Sequence, residues 1–344
     1  MTTKSAQSNN PFVDKTALVT GANSGLGFEA DAQLAEAGYS RVILACRTLE
    51  KAEGARQALA ERVGSDPFET LEVDVSSVES AKAASDEIER RGWVIDSLLL
   101  NAGMVSGDVM NKTADGLEVA FASSVIGHHV LTLRFLDAGV LPDHARVVIA
   151  GSEGANNDLP AMMDMKLYDF ATDAPQDFGS NLHDAMINFV EGAKPEKFNA
   201  TRYYATTKVF TSWWTAAMAR RFGDRVSIFT VSPGANLSTN AARHTTGFKR
   251  FLFTKFMPTI GRVIGMDQHV SVGAKRYLDV LHGVGGDYVN GKTYTSKPKK
   301  LTGPIQEMTH PHLLDVDRQE VAWSVLGELT GTVDRQASRA AAAE

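Results

Sequence analysis

The sequence predicts an α/β fold: a single doubly wound domain in which a mainly parallel sheet of about seven strands is flanked by helices on both faces. Three observations point there. Short apolar runs alternate strictly with helical patterns from Thr16 to Leu100. The stretch Thr20-Gly21-Ala22-Asn23-Ser24-Gly25-Leu26-Gly27 joins the first run to the first helical pattern through glycines. Asp74, Asn101 and Ser152 each fall at the end of a strand-like run, so polar groups collect along the carboxyl edge of the sheet.

The first strand runs from Thr16 to Thr20. The glycines after it allow positive φ and close approach of a ligand, and the helix start they expose offers unpaired N–H groups and a positive dipole end to a phosphate. Gly21, Asn23, Ser24, Gly25, Leu26 and Gly27 are therefore candidate dinucleotide contacts. A helix from Leu26 to Ala37 stops at Gly38, and Arg41 to Cys46 reads as a fully buried strand. In such units an acid roughly 20 residues beyond the last glycine binds the ribose 2′-OH of NAD, whereas an arginine suits the 2′-phosphate of NADP. Arg47 stands there, so NADP(H) is expected in preference to NAD(H).

The alternation continues with a helix near 49–63, a strand near 69–75, a helix near 78–91 and a strand near 95–100 that runs into Asn101-Ala102-Gly103. Asp74, Val75, Asn101, Ala102 and Gly103 join the candidate cofactor contacts; Asp74 equally fits a helix N-cap, since Ser76 and Ser77 follow. A long helix is expected near 115–135 and a fifth strand near 145–150, ending in Gly151-Ser152. The stretch 153–200 then breaks the pattern, too long for an ordinary connection, and is expected to pass over the site.

Order resumes with a helix near 202–222, on which Tyr204 and Lys208 share one face. A strand near 226–231 ends at Ser232-Pro233-Gly234. Residues 240–265 mix aromatic and basic side chains and are expected to form a substrate lid; a helix near 272–281, a strand near 293–295 and a helix near 317–329 follow. The domain is set at 15–332, with flexible tails at 1–14 and 333–344.

A chain of 344 residues with 43% apolar side chains can bury one large core. A net charge of -6, with no face-forming cluster of Lys and Arg, argues against nucleic acid as a partner. Cys46 is the single cysteine, which excludes an internal disulfide framework and suits a reducing, cytoplasmic setting; it reads as a small strand residue. The polar N-terminus lacks the apolar stretch of a signal peptide, and a soluble protein is expected.

In combination, Thr20-Gly21-x-x-x-Gly25-x-Gly27, Asp74, Asn101-Ala102-Gly103, Ser152, Tyr204-x-x-x-Lys208 and Pro233-Gly234 resemble the short-chain dehydrogenase/reductase family, a Rossmann fold, from about Lys15 to Gly331. The resemblance implies an NAD(P)-dependent oxidoreductase. Carbonyl reduction needs a hydride and a proton for the developing alkoxide, and a phenol can give that proton if its pKa comes down from about 10. Tyr204 is the candidate general acid/base. A Lys208 ammonium near 4 Å, at an effective dielectric of about 20, would favour the phenolate by roughly 4 kcal/mol. The family adds that this lysine bonds the nicotinamide ribose and that Ser152 orients the substrate oxygen. It also implies that Pro233-Gly234 seats the nicotinamide, with Asn236, Ser238 and Thr239 as further cofactor contacts.

One departure concerns Phe121-Ala122-Ser123-Ser124-Val125-Ile126-Gly127-His128, where Ser124 replaces the family's fourth catalytic residue, an asparagine. In the family that asparagine shapes a helix kink whose carbonyl holds a water to the lysine. A weakened or altered proton relay through Ser124 is expected, and His128 reads as a packed or satisfied helix histidine rather than a ligand. Within the family, Ala22 to Gly27, Ala45-Cys46-Arg47 and Thr113 to Glu118 resemble the retinol dehydrogenase and protochlorophyllide reductase group, although Leu100 replaces the cysteine of the light-driven enzymes. The expected activity is interconversion of an alcohol and a carbonyl on a bulky apolar substrate. Alternatives are a C=C reductase of the protochlorophyllide type and a weakly catalytic or non-catalytic NADP(H)-binding regulator. Peripheral membrane contact through 248–257 and a homodimer, with Trp213 in the core and Trp214 at the interface, are further expectations.

Overall fold

The computed structural model describes residues 10–107, 109–159, 165–168, 170, 181–193, 198–236 and 267–332. Strands β1 (Thr16–Thr20), β2 (Arg41–Cys46), β3 (Phe68–Glu72), β4 (Ser97–Leu100), β5 (Arg146–Ala150), β6 (Ser227–Val231), β7 (Thr293–Ser296) and β8 (Ile305–Glu307) form one eight-stranded sheet in the order β3-β2-β1-β4-β5-β6-β7-β8. Every neighbouring pair is parallel except β7 with β8. The strand order reverses between β1 and β4, which opens a crevice at their carboxyl ends. The eighth strand exceeds the sequence expectation because Ile305-Gln306-Glu307 is too short and too polar to register as an apolar run.

The central strands are buried on both faces, as their unbroken apolar runs require: Val19, paired with Leu44 and Leu99, is wholly enclosed. Helices α1 (Gly25–Ala37), α2 (Leu49–Val63) and α7 (Val270–His282) cover one face. The other face carries α3 (Val78–Arg90), α4 (Val119–Asp137) and α6 (Ala200–Phe222). Helix α4 starts later than expected because Glu118 caps it, its Oε2 accepting from Phe121 N at 2.7 Å. Among the described residues α4 is the one helix long and apolar enough to cross a membrane, and it is buried in the core.

The described part of 153–200 packs into this second face. Helix α5 (Leu182–Val190) turns Phe189 onto Tyr203, with ring centroids 4.6 Å apart, and Phe121 meets Phe210 edge-on at 5.0 Å. After the short α8 (Pro311–Leu314), helix α9 (Val316–Thr330) lies along α6 and α5. Its Trp323 sits 5.3 Å from the His129 ring and 4.5 Å beneath the Arg221 guanidinium. Trp213 and Trp214 are both buried, at 2% and 0% exposure, so Trp214 is a core residue of its own chain rather than an interface residue.

Candidate active site

The turn after β1 is shaped as a cradle. Gly21 and Gly25 adopt φ of 69° and 60°, a region that strains an L side chain. A Cβ at Gly27 would stand 2.4 Å from Gly21 O and 2.7 Å from Asn101 Nδ2, so α1 closes onto the turn only because that side chain is missing. Asn101 Nδ2 donates to Thr20 O at 3.0 Å and joins the two strand ends at the switch point. Ser24, the N-cap of α1, makes no side-chain cap, which leaves the first-turn N–H groups to an anion. Asn23 and Leu26 beside it are half-buried. These features fit the diphosphate of a dinucleotide.

Arg47 is 60% exposed at the end of β2, its Nε 3.6 Å from Asp74 Oδ2. Asp74 accepts from Ser76 N at 3.0 Å and from Ser76 Oγ at 2.7 Å, so the carboxylate closes a turn as well as facing Arg47. Val75 O accepts from Gly127 N at 2.9 Å. That bond is open because residues Ala122–Ile126 form a π-turn in α4, which frees an N–H inside the helix. Cys46 is buried and its thiol is pushed up to about 12 by burial, in keeping with a structural strand residue.

The Tyr204 hydroxyl is hydrogen-bonded to Ser152, whose Oγ also accepts from Gly154 N at 3.1 Å. One turn along α6, Lys208 Nζ lies 5.6 Å from the Tyr204 ring centroid and donates to Ala150 O at 2.8 Å. A Cβ at Gly103 would lie 3.0 Å from Ser124 Oγ and 3.8 Å from Lys208 Nζ, so Ala102-Gly103, Ser124 and the lysine share one cleft. Ser124 Oγ is buried with no hydrogen-bond partner among the described residues. Asn236 Nδ2 pins the Pro233-Gly234 turn by donating to Pro233 O at 3.2 Å and Gly234 O at 2.8 Å. Ser238, Thr239, the 240–265 lid and the 248–257 segment lie outside the described residues.

The electrostatics differ from the sequence expectation. Burial raises the Tyr204 pKa, the Glu153 carboxylate adds to the rise, and the Ser152 hydrogen bond opposes it. Lys208 directs its ammonium at the Ala150 carbonyl, and burial brings its own pKa down to about 8. His128 is a buried, satisfied helix histidine, as expected, and its bonds join it to the site. Its Nδ1 bonds Ser124 O and its Nε2 bonds Thr20 Oγ1, each at 3.0 Å, while Thr20 Oγ1 accepts from Ala102 N at 3.0 Å. With its pKa lowered to about 3 by burial, His128 is neutral, so Nδ1 donates to the carbonyl and Nε2 accepts from the threonine.

A doubly wound sheet with a glycine cradle at its switch point and a Ser-Tyr-Lys cluster beside it defines an NAD(P)-dependent oxidoreductase, and the chain belongs to the short chain dehydrogenase family. The model of that family matches residues 15–164. Protochlorophyllide reductase of Chlamydomonas reinhardtii is 30% identical over 330 residues, which cover 92% of this chain and 78% of that protein. Retinol dehydrogenase 14 of Mus musculus is 32% identical over 243 residues, 67% of this chain; the match spans 63% of its length, less than two thirds. A crystal structure of a protein from Mycobacterium paratuberculosis shares the fold, with a TM-score of 0.63 at 22% identity over 93% of this chain and 95% of the other.

Proposed function

We propose that the protein is an NADP(H)-dependent oxidoreductase that interconverts a carbonyl and an alcohol on a bulky apolar substrate, with carbonyl reduction as the favoured direction. The observation that carries this reading is the Ser152–Tyr204 hydrogen bond with Lys208 one helical turn away. Bound NADP(H) supplies or accepts the hydride. Ser152 donates a hydrogen bond to the substrate oxygen, and Tyr204 passes its proton to that oxygen as negative charge develops there. A phenol whose pKa is raised carries that proton at neutral pH, which is the form reduction needs. Lys208, still protonated below about pH 8, faces the phenolate left behind and favours it.

Arg47 supports NADP over NAD, because its exposed guanidinium can take a 2′-phosphate in bidentate fashion. A retinol dehydrogenase among the relatives supports an apolar substrate. The single buried cysteine supports a cytoplasmic setting. Tyr204→Phe tests the assignment: with NADPH and a panel of apolar aldehydes and ketones, turnover should fall by about 10²–10⁴ while NADPH binding is kept. Retained turnover overturns it.

A second reading, an NADP(H)-binding protein of weak turnover, has one observation in its favour. His128 occupies the Ser124 carbonyl, leaving the Ser124 hydroxyl as the remaining polar group of that residue beside Lys208. Hydride transfer to any member of the panel removes this reading.

A further inference from the structure

Directly after Ser152 the chain places a carboxylate out of reach of water. Glu153 is 4% exposed, and Arg276 of α7, whose Nη1 lies 3.2 Å from Glu153 Oε1, is 6% exposed. No apolar period or familiar spacing announces the pair, since the two residues are 123 positions apart. Glu153 Oε1 also accepts from Ser296 Oγ at 3.0 Å and from Ser296 N at 3.3 Å, while Oε2 accepts from Ser232 Oγ. Arg276 gives its other donors to Ser232 O at 3.2 Å, Ser296 Oγ at 3.0 Å and Gly303 O at 2.6 Å. One carboxylate and one guanidinium thereby tie the ends of β5, β6 and β7 to α7 and to the loop before β8.

The knot lies under Pro233-Gly234. Gly234 N donates to Ser232 Oγ at 3.2 Å, and a Cβ at Gly234, whose φ is 77°, would stand 2.7 Å from Arg276 Nη1. Ser232 and Gly234, on either side of Pro233, thus each meet the pair or a group that it holds. A buried ion pair is a poor source of net stability, because desolvation consumes most of its Coulomb gain; its many hydrogen bonds instead fix one geometry.

We propose that Glu153 and Arg276 are positioning residues that hold the Ser232-Pro233-Gly234 turn in register with Ser152, so that the nicotinamide end of the cofactor meets the substrate oxygen. The inference rests on the proposed function, which seats the nicotinamide at that turn. It separates the two ends of the cofactor: the glycine cradle and Arg47 hold the adenosine and phosphate end without help from the knot.

The test compares NADPH with adenosine 2′,5′-bisphosphate, which reaches only the cradle end, by titration on full-length protein well below the melting temperature of each variant. Glu153→Gln and Arg276→Met should each weaken NADPH binding by about tenfold and leave the bisphosphate within about twofold. The double variant should regain thermal stability without regaining NADPH affinity, which a purely structural pair would not produce. If either single variant fails to fold, Ser296→Ala removes the bridging hydroxyl more gently and should cost NADPH about threefold, again sparing the bisphosphate. Folded variants that bind both ligands as the wild type does, or that lose both in parallel, overturn the inference alone. A wild-type protein that binds neither ligand overturns the proposed function and this inference with it.

Discussion

Lys208 donates its ammonium to the main-chain carbonyl of Ala150 at 2.8 Å, and no carboxylate faces it among the described residues. The lysine is thus held by a dipole in a buried place, at the expense of its charge.

Lys208→Met should therefore stabilise the fold while removing turnover. The fall from 10.5 to about 8 corresponds to about 3 kcal/mol, offset in part by the lost bond to Ala150, and a net gain of about 1–2 kcal/mol is expected at pH 7. The sign follows from the unfolded chain binding the proton more tightly between pH 8 and 10.5, so wild-type stability rises through that window. The advantage of the variant should be full below pH 8 and shrink toward pH 10.5, as thermal melts across that range will read.

Asp31 offers a second gain. It is wholly buried in α1, both carboxylate oxygens lack a hydrogen-bond partner among the described residues, and burial raises its pKa well above 3.8. The protonated form suits the fold, so the group's contribution is present in acid and lost as pH rises through the folded value. Asp31→Ala should raise stability by about 1–3 kcal/mol at pH 7 and by nothing near pH 3. Equal gains in denaturant titrations at both pH values would contradict this.

Acid should unfold the wild type early. Burial holds both His128 and His129 near a pKa of about 3, against 6.5 for the free side chain. Groups lowered in this way contribute stability above pH 6.5 that is lost as pH falls toward 3. The melting temperature should drop steadily across that window, and His128→Leu, though less stable at pH 7 for want of its two hydrogen bonds, should show a flatter acid limb.

Arg47→Ala should raise the NADPH KM by about tenfold to a hundredfold and leave the NADH KM nearly unchanged, because only the 2′-phosphate loses a partner. Steady-state kinetics with both cofactors read the split.

The charge on Glu153 faces Tyr204 and opposes its ionisation; the Ser152 hydroxyl favours it, and the other charged groups nearby are the Lys208 ammonium and, behind Glu153, the Arg276 guanidinium. Glu153→Gln removes the one negative charge of this set. The pH above which reduction fails, where Tyr204 has lost its proton, should move down in that variant; an unmoved alkaline limb would refute the link.

Local signals carried much of this molecule. Strands β1 and β2 and helix α2 fall where apolar runs and their glycine or threonine boundaries place them, because each boundary is written in adjacent residues. Tyr204 and Lys208 were legible because a helical turn brings residues four apart together. The π-turn at Ala122–Ile126 was not, since its freed N–H is satisfied by Val75, a residue far away in sequence. The Glu153–Arg276 pair and the His128–Thr20 bond were hidden for the same reason: the partners lie more than a hundred positions apart, and no periodicity links them. The raised phenol of Tyr204 depends on enclosure, which sequence spacing does not report.

Helix α9 closes the flank of α6 with Trp323 and the pairing of Glu320 to Arg221 at 2.5 Å. The cover on the C-terminal half of α6 is thus made from a segment that lies 99 residues further along the chain than the arginine it pairs with. Until that segment arrives, a nascent chain carries its reactive residues on a helix whose tryptophan-rich back has no cover. Chain order then sets the order of events: the glycine cradle precedes the helix that carries Tyr204 and Lys208, and that helix gains its cover only after α9 has followed.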